Sequence, residues 1–341
     1  MNSYISENFP SFAQVRERVE GACRRINALV RTLNRFYVGK EEVIELMALC
    51  TVAQEPLLLV GPPGTAKSDL VVKFCEALGL AEEDYFEYML TKFTEPSEIL
   101  GPIDIAELKE GHYLRRVQGK LPTAKIVFLD EIFKSNSAIL NTLLTILNER
   151  KFYQDGRPVP VEMVMLFAAT NTVPEFSEMD ALKDRFVFKV ECAEVRARYF
   201  EELVDKGVMH EMYCSFRQRP WTTDCTLEDF LTVKTYLDYL ISGHSTGEGS
   251  ETALSRDRAR YFPPPVFDLF RRMLTALEEE ELIVLSDRKV IKLYRLLRTR
   301  AFLLHGGEVR PEDLRLLKHI GEREEHFGLL RERVERMLQV G

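Results

Sequence analysis

Cysteine is sparse and unpatterned in this chain. Its six cysteines (Cys23, Cys50, Cys75, Cys192, Cys214 and Cys225) form no CxxC pair, which excludes a zinc ribbon or finger. Cys50 and Cys75 sit among apolar neighbours and are expected to be small core residues. The six histidines are scattered, with no ligand spacing among them. No apolar run approaches the ~18 residues needed to span a bilayer. The opening residues Met1–Glu7 carry neither the charged nor the apolar stretch of a secretory leader, so the expected address is the cytoplasm. Positive charge is in deficit: 46 Lys and Arg stand against 54 Asp and Glu, a net charge of −8. That excludes a protein whose bulk is a polycation for nucleic acid, while leaving room for a local basic patch. Tryptophan occurs once, at Trp221, against 21 phenylalanines, so the core is expected to be built from Leu, Ile, Val and Phe. Internal repeats and long low-complexity tracts are missing too. At 341 residues, the chain has room for about two domains.

What is present is organised in two halves. Phe12, Val15, Val19, Cys23, Ile26, Val30 and Leu33 recur at intervals of three and four, which predicts an amphipathic helix over 12–34. A second helix is expected over 41–53. Three short apolar runs follow, at 56–60, 126–129 and 163–169. Each ends in polar residues, and helical patterns at 67–78 and 137–149 separate them. Buried strands alternating with helices imply a parallel sheet covered on both faces. Ligands bind beyond the carboxyl ends of such strands. After about residue 192 the strand pattern stops. Helices are expected over 195–206, 227–240, 265–279, 288–304, 311–320 and 322–339. The segment Gly243–Arg260 is rich in Gly, Ser, Thr and charge and reads as a flexible insertion.

The first strand leads into Gly61-Pro62-Pro63-Gly64-Thr65-Ala66-Lys67-Ser68 and then a helix, the position of a phosphate-binding loop. Small residues let backbone N–H groups face phosphate oxygens, and the following helix adds the positive end of its dipole. Lys67 can reach the β- and γ-phosphates of a bound nucleotide, and the Ser68 hydroxyl can ligate Mg²⁺. The usual pattern has glycine at Ala66; a methyl is tolerable there if the position is helical. The second strand ends in Asp130-Glu131, placed for Asp130 to hold Mg²⁺ through its water shell and for Glu131 to polarise the attacking water. The third ends in Thr170-Asn171, where Asn171 is a candidate partner of that water or of the γ-phosphate.

The set Gly61–Ser68, Ile126–Glu131 and Ala168–Asn171 resembles an AAA+ ATPase: a P-loop core with a parallel sheet, then an all-helical lid. Phe93-Thr94-Glu95-Pro96-Ser97-Glu98-Ile99-Leu100-Gly101-Pro102 and Leu140–Phe152 resemble the MoxR family, most closely its RavA branch without the extra C-terminal domain of that branch. The resemblance covers roughly residues 12–340. It implies an N-terminal helix over 1–35, an ATPase core over 36–192, a connector over 193–226 and a lid over 227–341. It places Val38 and Gly39 at the adenine pocket, Gly61–Ser68 and Asp69 around the nucleotide, and Ser68 and Asp130 at the metal. Glu131 and Asn171 become Walker B base and sensor 1. Arg185, in Leu182-Lys183-Asp184-Arg185-Phe186, matches an arginine finger serving the neighbouring subunit, and Arg288 matches the lid's sensor 2. A planar guanidinium suits phosphoryl oxygens at both positions. Arg150 stands as either a subunit-junction residue or a simple ion-pair partner.

Two insertions complete the pattern. Residues 101–122 interrupt the helix before the acidic strand, with a charge balance of +1 and Tyr113 within them. Residues 152–162 read as a hairpin turning at Asp155-Gly156. A balance of +1 is no nucleic-acid tract; a protein contact and a plain solvated loop both remain open. The implied function is an ATP-hydrolysing remodeller of protein complexes, working as a ring, a hexamer by resemblance. Its implied partners are copies of itself and protein clients, among them von Willebrand factor A domain proteins. A nucleic-acid-stimulated motor and a nucleotide-dependent scaffold are the alternatives.

Overall fold

The computed structural model describes residues 10–175, 179–242 and 258–340. Most of the expected Gly243–Arg260 insertion, residues 243–257, lies outside the described residues. Helix α1 (Phe12–Phe36) starts with a reciprocal capping box between Ser11 and Gln14, which satisfies backbone donors that a helix start leaves orphaned. Its buried stripe of Val15, Val19, Ala22, Ile26, Leu29 and Leu33 is the three-and-four pattern of the sequence. Helix α2 (Glu41–Ala53) follows; nine of its thirteen residues are buried, as suits a helix sandwiched on two sides.

The sheet has five strands: β1 (Leu57–Val60), β2 (Tyr85–Met89), β3 (Ile126–Asp130), β6 (Met165–Thr170) and β7 (Phe188–Glu191), in the order β2-β3-β6-β1-β7. All four pairings are parallel, with Leu57 opposite both Phe167 and Phe188. Two of these strands, β2 and β7, have no counterpart among the three predicted from apolar runs. Both are edge strands carrying charged residues, Glu87 in one and Lys189 with Glu191 in the other. Helix α3 (Lys67–Ala77) leads from central β1 to edge β2, and α6 (Ser137–Glu149) follows β3 on the way to β6, with the short α4 (Pro96–Leu100) and α5 (Ile105–Lys109) between β2 and β3 and α7 (Asp180–Lys183) before β7.

One buried cluster joins α1, α2, α3 and one sheet face to the C-terminal helices; a second joins the other face to α4, α6 and α7. The C-terminal helices are α8 (Phe200–Ser215), α9 (Leu227–Ile241), α10 (Pro264–Glu279), α11 (Asp287–His305) and α12 (Glu325–Val340), with a 3-10 stretch over Pro311–His319. The α8 helix begins five residues later than the pattern predicts and extends to 215; Val195–Arg198 form a turn instead, bonded from Arg198 N to Val195 O. The hairpin appears as β4 (Lys151–Gln154) and β5 (Arg157–Pro160), turned by Asp155 at φ +50° and Gly156 at φ +71°, as a tight primed turn demands. It docks on the 101–122 insertion: Asp155 N donates to Tyr113 O at 3.0 Å, and Tyr113 N to Asp155 Oδ1 at 3.1 Å. The two insertions thus make one unit. Among the described residues no helix is long and apolar enough to cross a membrane. Cys50 and Cys75 are buried core residues, and burial pushes both thiols up.

Candidate nucleotide site

The loop from 61 to 66 leaves β1 at the carboxyl edge of the sheet and delivers the chain into α3. Gly61 is required by contact: a Cβ there would lie 2.5 Å from the Cys192 carbonyl oxygen. Gly64 sits at φ +81° with no atom within 4 Å of its missing Cβ, leaving the backbone open to a ligand. Ala66 is not helical. It lies in the left-handed region at φ +65° as the N-cap of α3, so the condition on which its methyl was tolerable is not met. The strain is of the order of 1–2 kcal/mol for a residue with a Cβ, which accounts for the usual glycine.

Lys67 is buried and its ammonium folds back over the loop. It donates to the carbonyls of Gly61 at 2.6 Å and Pro62 at 3.0 Å, and to Asn171 Oδ1 at 3.3 Å. Asn171 Nδ2 in turn donates to Glu131 Oε1 at 2.6 Å, and Glu131 pairs with Lys134 at 3.0 Å. Asp130 Oδ1 accepts from Glu131 N at 2.8 Å, and Glu131 sits at φ +53°. Three segments more than thirty residues apart therefore meet at one edge through Lys67, Asn171 and Glu131. Ser68, in the first turn of α3, and Asp130 offer hard oxygen donors beside them, the set that suits Mg²⁺.

Beside the loop opens a cavity of ≈ 390 Å³ lined by Tyr37, Val38, Lys40, Pro63–Ala66 and Asp69, and on its far side by Val195, Leu203, Lys206, Gly207 and His210. Gly39 is not on the lining; it lets the 38–40 segment lie against Val195, since a Cβ would come within 2.8 Å of it. Asp69 shapes the wall. It accepts from Tyr37 Oη at 2.7 Å and from Lys73 at 2.6 Å. Burial and the Asp69 charge push the Tyr37 hydroxyl up, so it stays a donor. Burial lowers Lys40, whose ammonium donates to Ala193 O at 2.7 Å. The α8 wall was missed from the sequence: only its fold-back onto Tyr37 O through Lys206, at 2.8 Å, makes it part of the site. A larger groove, ≈ 660 Å³, runs between α1 and α9, where Arg25 and Asp229 already neutralise each other at 2.5 Å.

The two remaining arginines are elsewhere. Arg185 donates to Asp184 at 2.8 Å, and among the described residues its buried Nε has no partner. Arg288 is exposed and donates to Asn148 at 3.4 Å. Asn148 lies at the far end of α6, which runs about 20 Å away from the carboxyl edge. Lys292, one turn on from Arg288, pairs with Glu55 just before β1. Arg288 is therefore at the opposite edge of the sheet from its own phosphate loop, and a sensor role toward that loop's nucleotide does not fit this placement. Arg150 resolves as a structural staple. It donates to Met163 O at 3.0 Å and Gln54 O at 2.8 Å, at φ +52°.

Residues 24–227 match the family model described as the MoxR domain in the MoxR-vWA-beta-propeller ternary systems, and 266–332 match the AAA lid domain. Two uncharacterised proteins of Methanocaldococcus jannaschii are each 31% identical to the chain, over 84% and 87% of it and 69% and 70% of their own lengths. The chaperone MoxR1 of Mycobacterium tuberculosis is 25% identical over 50% of this chain and 46% of that protein. A crystal structure of a candidate ATPase from Cytophaga hutchinsonii shares the fold, with a TM-score of 0.68 over 96% of this chain and 97% of that one at 16% identity.

Proposed function

The chain belongs to the MoxR family of AAA+ ATPases, and from that premise we propose that it hydrolyses ATP to remodel protein complexes as a ring, a hexamer. The observation that carries the proposal is the Lys67–Asn171–Glu131 chain of hydrogen bonds at the loop. It supports reading Lys67 as the phosphate-binding cation, Asn171 as the water-orienting amide and Glu131 as the general base at one γ-phosphate. The base and ribose of ATP occupy the cavity between Val38 and α8, and the phosphates displace Lys67 from the Gly61 and Pro62 carbonyls. Ser68 and Asp130 would hold Mg²⁺, which would supply neutralisation of the phosphate charge. Glu131 takes the proton of the attacking water, and Asn171 orients both.

Arg185 supplies transition-state stabilisation to the neighbouring subunit. Its distance from its own loop, in the stretch returning to the start of β7, supports a trans role. Arg288 lies at the same far edge, so any nucleotide it meets is a neighbour's. The working parts are an N-terminal helix (1–35), the core (36–192), a connector (193–226) and the lid (227–341). The client is a protein, with a von Willebrand factor A domain partner favoured by the ternary systems for which the matching family is named. The test is Mg²⁺-dependent phosphate release, with Glu131→Gln expected to bind ATP and release no phosphate. Turnover in Glu131→Gln equal to the unaltered protein's would defeat the proposal.

A further inference from the structure

Helix α8 has no buried residue along its sixteen positions. Its inner side faces the nucleotide cavity through Leu203, Lys206, Gly207 and His210. Its outer side carries Phe200, Val204, Val208 and Met212, with Phe216 at the C-cap. These five recur every four residues, one continuous ridge on a helix. They are 62%, 47%, 62%, 43% and 70% exposed. With Met209 they offer on the order of 600 Å² of apolar surface, the upper end of what a monomer ordinarily leaves uncovered. The charged residues on this arc, Glu201, Asp205 and Glu211, are all acidic and exposed; the helix's lysine, Lys206, is turned inward to Tyr37.

A surface of complementary character lies at the opposite edge of the molecule. Val284 and Ile291 are 67% and 61% exposed, and Arg288 and Arg295 flank Ile291 at three and four residues. On a helix these three share a face. Arg288 meets only the neutral Asn148 among the described residues, and Arg295 reaches Asp238 at 3.4 Å, half exposed. We propose that the α8 ridge is the docking strip for a second copy of this chain, received by its Val284–Arg288–Ile291–Arg295 face. The apolar ridge meets apolar side chains while the acidic fringe meets arginines. The two faces differ and lie at opposite edges, so the contact is head-to-tail and repeats from copy to copy until it closes. The ridge supplies about three quarters of the ~800 Å² a side of a standard interface. Because α8 is shared between the docking strip and the nucleotide cavity, assembly and nucleotide binding are coupled, each changing the other's affinity by the same factor.

The proposal rests on the ring reading above, and the test separates the two. The full chain is followed by sedimentation velocity with Mg²⁺ and a non-hydrolysable ATP analogue, and by binding of a fluorescent ATP analogue to the unassembled chain. Val208→Lys is expected to raise the concentration needed for assembly at least ~10-fold, since an ammonium there is desolvated beside the like-charged Arg288 and Arg295 that flank Ile291. Its melting temperature should match the parent's, and its affinity for the fluorescent analogue should stay within about threefold. Arg288→Glu with Arg295→Glu should weaken assembly likewise, and adding Glu201→Arg and Asp205→Arg should restore it. A crosslink between Val208→Cys in one copy and Ile291→Cys in another, in a Cys214→Ser background, gives a second readout. Assembly unchanged by Val208→Lys, a chain that never self-associates, or a ridge covered by a different protein would each overturn the docking. Failure of the parent chain to bind ATP would instead sink the nucleotide-site reading, and sedimentation without nucleotide would still decide the docking.

Discussion

Glu322→Gln is the substitution whose cost the structure fixes most tightly. Two lysines bury their ammonium groups on this one carboxylate: Lys189 of β7, at 3.2 Å, and Lys289 of α11. Their side chains are 0% and 1% exposed, against 21% for Glu322. Burial brings Lys189 down to about 8 from 10.5, against the pull of Glu322 and with the added push of Lys289. Burial opposes ionisation of Glu322 as well, but the two lysines outweigh it and hold its carboxyl low. Glutamine keeps the shape and an acceptor while removing the charge. Breaking a buried pair costs ~3–5 kcal/mol. A ceiling applies, because an unpaired lysine escapes by giving up its proton, at about 1.4 kcal/mol for each unit that the solution lies below 10.5. That is about 4 kcal/mol per lysine at pH 7.5 and about 1.4 kcal/mol at pH 9.5.

The loss is therefore expected to be about 3–4 kcal/mol at pH 7.5 and half of that or less at pH 9.5. The sign follows from proton counting. With the folded lysine depressed below its unfolded value, the unfolded chain binds more protons in that window, so the variant regains stability as pH rises. Urea unfolding at the two pH values measures it, with the slope checked for constancy. Glu325→Gln, three residues on and 63% exposed, is the control and should stay within about 0.5 kcal/mol. Lys189→Met added to Glu322→Gln should recover part of the loss. A cost under about 1 kcal/mol at pH 7.5, or one equal at both pH values, would refute this account of the strand–lid joint.

The remaining predictions are shorter. Arg185→Ala should lower turnover by ~10³-fold or more, and mixing it with Glu131→Gln subunits should restore some phosphate release; no rescue at any ratio would argue against action in trans. Ala66→Gly should raise stability by up to about 1 kcal/mol in thermal unfolding, as relief of left-handed strain exceeds the entropy cost of glycine; a loss of that size would show the methyl to be packed. Glu42 is opposed by burial but pulled down to about 2 by His319 and Lys318, so the stability it contributes is full above about 4.5 and lost as pH falls toward 2. Glu42→Gln should thus flatten the acid limb of a stability–pH curve, and an unchanged limb would discount the pair.

Legibility in the sequence followed how directly each element is written in local pattern. Central strands β1, β3 and β6 are unbroken apolar runs because both of their faces are covered, and the phosphate loop and acidic pair follow from them. The edge strands escaped notice for a physical reason. In β7, Phe188, Lys189 and Val190 are all buried, yet the lysine interrupts the apolar signal; its burial depends on Glu322, 133 residues away. Tyr37 and the α8 wall of the cavity were missed for the same cause, since each acquires its role only through a tertiary hydrogen bond. Arg288 shows the converse. Its motif context was legible, but which sheet edge it reaches depends on how α11 lies along α2, and no local pattern encodes that.

That packing bears on how phosphate chemistry could move the molecule. Lys67 has two sets of acceptors available, the loop carbonyls and the nucleotide's phosphates, and it cannot serve both. With Lys67 on Gly61 and Pro62, Asn171 bridges it to Glu131, so base and cation are tied. A γ-phosphate that draws Lys67 away offers an oppositely charged acceptor in place of neutral carbonyls, and it leaves Asn171 free to orient water. The same rearrangement bears on α3, where Asp69 holds Tyr37 and Lys73 at the cavity wall, with His210 of α8 at 3.8 Å. A shift of α3 by even a fraction of a hydrogen-bond length changes what α8 rests on. Since α8 buries none of its own residues, little packing resists its movement, which makes it the element most able to carry the nucleotide state outward.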